Sequence, residues 1–173
     1  MPTIAVLQVP ATGTYRLDPA ASTVTFATRH MFGLGGVTGS FRLVSGEITI
    51  ADPVASSTAS AVIDASSIDT GNSRRDEDVK SVTFLHTQDH PRITFSSSGL
   101  VRDGDRWLLH GHITARGTTA PAELVITESR ADEDGLLFRA VTRVDRYAHA
   151  ITKKKGMAGR YLDLEITARA IRT

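Results

Sequence analysis

The sequence predicts an all-β protein, built as an antiparallel barrel or sandwich of about eight strands. Apolar residues alternate with polar ones along most of the chain. This alternation is typical of strands that have one buried face and one solvent-exposed face. Clusters of Gly, Asp, Ser and Pro separate the alternating runs at turn length, as they do between the strands of consecutive hairpins.

The alternation also predicts which side chains of each strand point inward. In chain order these are Val24 and Phe26; Phe41 and Leu43; Ile48 and Ile50, after a turn expected at Ser45-Gly46; Ala59, Ala61 and Ile63; Ile93 and Phe95; Leu109, Gly111, Ile113 and Ala115; Leu124 and Ile126; Phe138, Ala140, Thr142 and Val144; and Leu162, Leu164, Ile166, Ala168 and Ala170. Further hairpin turns are predicted at Asp103-Gly104-Asp105, Arg116-Gly117-Thr118 and residues 132–135.

One segment departs from the strand pattern and predicts a short helix over about residues 73–82. Ser73 is its expected N-cap, and Asp76 follows three residues later, as in a capping box. Val79 and Val82 lie three residues apart, so they would share one face of the helix. We expect this helix to cover or plug one end of a barrel.

Length and composition narrow the possible classes of protein. The 173 residues predict a loose N-terminal segment over residues 1–13 and a single domain over residues 14–173. Twenty basic residues balance 19 acidic ones, so no basic excess favours nucleic acid. The chain has no cysteine, which excludes disulfides and thiolate sites. It shows neither a signal peptide nor a membrane span, and from this we expect a cytoplasmic location.

The glycine-rich stretch FATRHMFGLGGVTGSF does not fit a phosphate-binding loop. Such a loop has glycine at its first, third and sixth positions and opens a helix. Counting from Gly33 places Thr38 at the sixth position, and the residues that follow have the strand pattern. We therefore interpret the glycines as a turn between two strands.

The histidines offer two interpretations, a metal site and a pocket contact. His110 and His112 share the outward face of a strand, and without a third ligand they form an incomplete metal site. His30 follows an inward-alternating strand, so it is either a structural histidine or a polar contact at the mouth of a pocket. The hydrolase elbow Gly-x-Ser-x-Gly is missing from the sequence.

Small and large residues are mixed on the inward positions. Phe26, Phe41, Phe95 and Phe138 are predicted to point inward together with several alanines and Gly111. An eight-stranded barrel is just wide enough either to fill itself or to hold one ligand. Because so many inward side chains are small, we expect free, apolar and elongated space along its axis.

Three stretches together resemble the YceI-like family of lipocalin-like, polyisoprenoid-binding bacterial proteins. They carry Phe26, His30, Val37, Gly39 and Phe41; Arg75-Asp76, Phe84, Pro91 and Phe95; and Gly111, Thr114, Gly117, Thr119 and Pro121. The stretch KGMAGRYLDL at 155–164 is similar to actinobacterial members. The resemblance covers about residues 14–171.

The resemblance implies an eight-stranded antiparallel lipocalin-like barrel with a helix inserted around residues 66–84. It also implies a hydrophobic channel that takes an isoprenoid quinone or polyprenyl lipid, with no catalytic residues, metal or cofactor. The expected ligand contacts are Phe26, His30, Phe32, Phe41, Ile63, Phe84, Phe95, Leu109, Ile113, Phe138 and Tyr147, with His30 and Tyr147 at the head group. His149 stands where relatives often have an aromatic residue, which makes that part of the pocket more polar.

Two alternatives to a lipid carrier stay open at this point. One is an enzyme whose apolar pocket holds a small hydrophobic substrate near His30 or His149. The other is a filled barrel that acts only as an interaction module, as a homodimer through an exposed sheet face.

Overall fold

The computed structural model describes residues 7–30 and 33–173, which form nine strands, one α-helix and three one-turn 3-10 helices. The strands are β1 (Gly13–Leu17), β2 (Thr23–His30), β3 (Gly35–Ile50), β4 (Thr58–Asp69), β5 (Arg92–Asp103), β6 (Arg106–Ala115), β7 (Thr118–Ala131), β8 (Gly135–Asp145) and β9 (Tyr161–Arg172). The α-helix α1 spans Ser73–Lys80, and the 3-10 helices span Pro19–Ala21, Val54–Ser56 and Arg146–His149.

The strands form one antiparallel sheet that closes on itself. Each strand from β2 to β8 pairs with the next strand along the chain. β9 then pairs back with β2, which completes the circle. β1 precedes β2 in the same position of the barrel. It pairs with the C-terminal end of β3 on one side and with the C-terminal end of β9 on the other. The predicted eight-stranded antiparallel barrel is therefore confirmed, with β1 and β2 sharing one of its eight positions.

The predicted hairpins are also confirmed. β5 and β6 are joined by Gly104 and Asp105, and β7 and β8 by residues 132–134. Arg116 and Gly117 join β6 to β7 with φ values of 50° and 71°, the left-handed conformation that tight hairpin turns require. The Arg116 side chain donates to the carbonyl oxygens of Val82 and Phe84, so the turn is tied to the segment after α1.

The turn expected at Ser45-Gly46 is wrong, because β3 continues through it as one strand of 16 residues. Leu43 and Ile48 are both buried although they are an odd number of residues apart. The pairing of β3 with β4 shifts its register between Leu43 and Ser45. Such a bulge inserts one residue and restores the inward phase. Gly46 is needed for packing instead, since a Cβ there would lie 2.6 Å from the carbonyl oxygen of Ser60.

The predicted helix is shorter than expected and begins with a different cap. Asn72, not Ser73, is the N-cap, and its side chain accepts a hydrogen bond from the Arg75 amide at 3.1 Å. Asp76 accepts from the Thr70 amide and hydroxyl instead of completing a capping box. The helix ends at Lys80, so Val82 lies outside it. Val79 and Val82 therefore do not share a helical face as predicted. α1 lies at one end of the barrel, called here the helix end.

The opposite end, called here the N-terminal end, is packed and covered. Its core contains Tyr15, Leu17, Leu43, Ile48, Ile50, Leu136, Ala168 and Ala170. Residues 7–10, which fall in the segment expected to be loose, cross this end. The Gln8 amide donates to the Ser129 carbonyl at 2.8 Å, and the Ser129 hydroxyl donates back to the Gln8 carbonyl at 2.7 Å. Within the described residues, no helix has the length and apolar character to span a bilayer.

Candidate functional site

The barrel encloses an apolar cavity of about 450 Å³, and all eight barrel positions contribute side chains to its wall. This volume lies within the range of about 300–1,000 Å³ that is usual for small-molecule sites. Asp78 on α1 and Met157 line the cavity although both are exposed, so it reaches the surface at the helix end. Leu17, Leu43 and Ile48 from the packed core form its floor.

Most of the predicted ligand contacts line this cavity. They are Phe26, His30, Phe41, Ile63, Phe84, Phe95, Leu109, Ile113 and Phe138. Phe32 lies outside the described residues. Tyr147 is not among the lining residues, and its ring lies instead against the side chains of Arg146, Lys155 and Arg160. Ligand contact by any of these residues stays a prediction.

The small inward residues divide into two groups. Ala59, Ala61, Ala115 and Ala168 line the cavity and leave it open. Ala140 and Ala170 are fully buried by their neighbours, and Gly111 is covered by the Phe95 ring, which would lie 2.7 Å from an added Cβ. The barrel interior is therefore open beside Ala59, Ala61, Ala115 and Ala168, and it is filled by neighbouring atoms beside Ala140, Ala170 and Gly111. The alternative of a filled barrel is wrong.

A second cavity of about 80 Å³ lies at the N-terminal end. Leu7, Val9 and Pro10 form part of its wall. It shares Ile48, Ala59, Leu109 and Phe138 with the main cavity. These shared side chains separate the two spaces, and the N-terminal segment covers the smaller one.

A buried arginine stands at the helix end of the main cavity. Arg146 is only 6% exposed and lines the cavity. Its Nε, Nη1 and Nη2 donate to the carbonyls of Gly159, Ile151 and Ala158 at 2.7, 2.8 and 3.3 Å. Burial lowers the pKa of its guanidinium, which stays charged because arginine begins far above neutral pH. Arg146 therefore holds the 151–159 loop against the barrel.

An ion pair supports this loop from outside. Arg160 binds Asp145 through two hydrogen bonds, at 3.0 and 2.9 Å. These bonds hold the pKa of the Asp145 carboxyl below its ordinary value and raise the pKa of Arg160. Asp145 also accepts from the Tyr147 amide at 3.0 Å. The carboxylate therefore caps the 3-10 helix that carries Arg146.

His149 ends the same 3-10 helix and is 4% exposed. Its Nδ1 lies 2.9 Å from the carbonyl oxygen of Thr118, at the start of β7. A carbonyl can only accept, so Nδ1 carries the proton in this hydrogen bond. His149 also lines the main cavity. The resemblance implied a more polar pocket at this position, and the structure places the His149 side chain in the cavity wall.

The other histidines lie outside the cavity, apart from His30. His110 and His112 point away from the barrel interior as predicted, and His110 lies 3.7 Å from Glu123. Within residues 7–30 and 33–173, no three His, Asp or Glu side chains are grouped to hold a metal ion. The described glycines at 33–36 belong to the β2–β3 hairpin, and a strand rather than a helix follows them.

Sequence patterns missed the role of Arg146. It follows an aspartate and precedes a tyrosine at the end of a strand, which is typical of a solvent-exposed turn. Its burial depends on the 151–159 loop folding back over it. The alternation pattern carries no signal for contacts of this kind.

Relatives in sequence and in structure were found for this chain. Protein YceI of Escherichia coli O157:H7 is 30% identical over 113 residues, which are 64% of this chain and 59% of that protein. The match thus spans under two thirds of the relative's length. Burkholderia cenocepacia BcnA has a TM-score of 0.77 at 19% identity, covering 88% of this chain and 98% of that one.

A second structural neighbour is a polyisoprenoid binding domain from Saccharophagus degradans. It has a TM-score of 0.70 at 15% identity and covers 94% of this chain and all of that domain. At these identities the structural neighbours establish the fold alone. The family model for the YceI-like domain matches residues 15–170, which is nearly the whole barrel. The chain therefore belongs to the YceI-like family.

Proposed function

We propose that this protein binds and carries an amphiphilic isoprenoid lipid of the polyprenyl or isoprenoid-quinone type. The observation that carries the proposal is the apolar cavity, which all eight barrel positions line and which opens at the helix end. The neighbour from Saccharophagus degradans, described as a polyisoprenoid binding domain, supports this choice of ligand.

Burial of the isoprenoid chain supplies the binding free energy. Each buried methylene contributes about 0.8 kcal/mol, before the cost of immobilising the ligand. The phenylalanines of the wall, such as Phe26 and Phe41 with ring centroids 5.6 Å apart, present flat apolar surfaces to the chain. The free energy thus comes from area rather than from directed bonds, which suits a long hydrocarbon.

The cavity supports binding better than catalysis. An imidazole that acts as an acid or base is usually oriented by a partner group such as a carboxylate. Within the described part of the chain, neither His30 nor His149 lies within 4 Å of a carboxylate. Binding, storage or transport of the lipid therefore needs fewer assumptions than an enzyme whose histidine has no paired carboxylate among the described residues.

The test is recovery of the bound lipid. The protein is purified without detergent and denatured, then extracted with organic solvent for mass spectrometry. In parallel, protein stripped of lipid is titrated with polyprenols of increasing chain length. We expect either one isoprenoid per chain in the extract or saturable binding in the titration. The proposal is wrong if the extract is empty and the stripped protein binds no polyprenol.

A further inference from the structure

The cavity has a polar end that the carrier function alone does not explain. Its arginine and histidine side chains are Arg75, Arg146, His30 and His149, and of these only Arg146 and His149 are buried. Both belong to the 3-10 helix Arg146–His149. They therefore form a local polar site within an apolar wall.

His149 presents a hydrogen-bond acceptor to the cavity. Because Nδ1 donates to the Thr118 carbonyl, the neutral ring leaves its lone pair on Nε2. Among the described residues, Nε2 has no hydrogen-bond partner, and no buried side-chain nitrogen or oxygen is both sealed off and unpaired. His149 is 4% exposed and lines the cavity. Nε2 is therefore accessible, and the space that the His149 side chain lines is the main cavity.

Arg146 presents hydrogen-bond donors at the same end. A guanidinium has five N–H groups, and the loop carbonyls take three of them. One N–H on each Nη is left over. Asp145 acts on Arg146 through its charge, but among the described residues no carboxylate forms an ion pair with Arg146 within 4 Å. The polar end thus combines an acceptor on Nε2 of His149 with spare donors on Arg146.

We propose that Arg146 and His149 form a head-group site for an uncharged hydroxyl at the end of the bound isoprenoid. The hydroxyl donates a hydrogen bond to Nε2 of His149, and its oxygen accepts a hydrogen bond from Arg146. This assignment rests on the proposed carrier function and narrows its ligand to free alcohols, phenols and hydroquinones.

Other head groups satisfy this pair less well. A quinone carbonyl or an ether can only accept, so it leaves the acceptor on Nε2 without a partner. A fully ionised phosphate suits Arg146 but directs negative oxygens at the Nε2 lone pair of the neutral ring. A plain hydrocarbon end leaves both side chains unsatisfied, and buried polar groups without partners are unfavourable.

The test compares three probes that share one isoprenoid chain: geranylgeraniol, its methyl ether and geranylgeranyl phosphate. Each is titrated calorimetrically into full-length protein stripped of lipid. We expect the alcohol to bind about tenfold more tightly than the methyl ether, which corresponds to one net hydrogen bond. We also expect it to bind more tightly than the phosphate.

Two variants distinguish the role of Nε2 as a hydrogen-bond acceptor from a structural role of the His149 side chain. In His149→Asn the amide N–H can still donate to the Thr118 carbonyl, but no acceptor stands at the Nε2 position. His149→Phe removes both groups. In each variant we expect the tenfold difference in affinity between the alcohol and the methyl ether to disappear. His112→Asn, on the outer face of β6, is the matched control and should retain the tenfold preference.

The outcomes distinguish this inference from the carrier function. Equal binding of alcohol and ether by the parent protein, or tighter binding of the phosphate, overturns the hydroxyl site but leaves the carrier function intact. A tenfold preference that persists in His149→Asn overturns the role of Nε2. If the protein binds none of the three probes, the carrier function fails and the head-group site fails with it.

Discussion

Replacing Ala61 with phenylalanine should block the cavity without unfolding the barrel. Ala61 lies on β4 between Gly46 of β3 and Phe95 of β5, and its side chain lines the cavity. Ala61 also packs against the core of the N-terminal end, but the cavity that it lines offers free space for the new ring. We therefore expect the barrel to form normally, because overpacking is unfavourable only where atoms already occupy the space.

The size of the effect follows from the cavity volume. A benzene-sized ring fits an apolar cavity of about 150 Å³, so the added ring takes roughly a third of the 450 Å³ available. About six ligand carbons then lose their place, which corresponds to at most about 5 kcal/mol at 0.8 kcal/mol per methylene. The chain can shift into the remaining space and recover part of this. We expect an affinity loss of at least about a hundredfold, or about 2.7 kcal/mol.

The assay is titration of stripped protein with a polyprenol, together with a thermal melt. Ala27→Phe is the matched control, since Ala27 is exposed on β2 and outside the main cavity. We expect Ala61→Phe to lose binding and keep a melting temperature near that of the parent, while Ala27→Phe keeps both. If Ala61→Phe is folded and binds the polyprenol like the parent, the cavity is not where the chain lies.

Three further predictions concern stability. Arg146→Met removes the donors to three loop carbonyls, so we expect about 3 kcal/mol less free energy of unfolding in urea titration. Bonding to Arg160 depresses the folded-state pKa of Asp145. Its stabilising contribution is therefore full above the unfolded-state pKa and is lost as the pH falls through the folded-state pKa. Asp145→Asn should flatten this acid limb in melts between pH 2 and 5, by no more than about 1 kcal/mol for so exposed a pair. Gly111→Ala would drive a methyl group into the Ser96 carbonyl, and we expect about 1–3 kcal/mol of destabilisation in urea titration.

The barrel strands could be predicted because their signal is local. Val24 and Phe26 are buried while Thr23 and Thr25 are exposed, and this alternation follows directly from the pleat of an extended chain. The prediction was wrong at Ser45-Gly46, where the turn-forming residues compete with the strand pattern on either side of them. β3 continues through both residues as one strand.

The candidate site was predictable only in its apolar part. Inward positions such as Phe95 and Ile113 follow from their strands, and both line the cavity. Arg146 could not be predicted, because its burial depends on a loop of the helix end. Tyr147 is an amphipathic aromatic residue of the kind expected in a pocket. Its ring lies instead against the side chains of Lys155 and Arg160, outside the cavity lining.

By itself, the sequence determined the strand periodicity, the hairpin turns and the small side chains on the inward face. These depend on each residue's own backbone and on its nearest neighbours along the chain. Only the tertiary structure decided that β9 closes onto β2, that the N-terminal end is packed apart from a small cavity while the main cavity stays open, and that Arg146 and His149 line the main cavity. These features join residues more than a hundred positions apart or in separate loops, and their geometry is set by closure of the whole barrel.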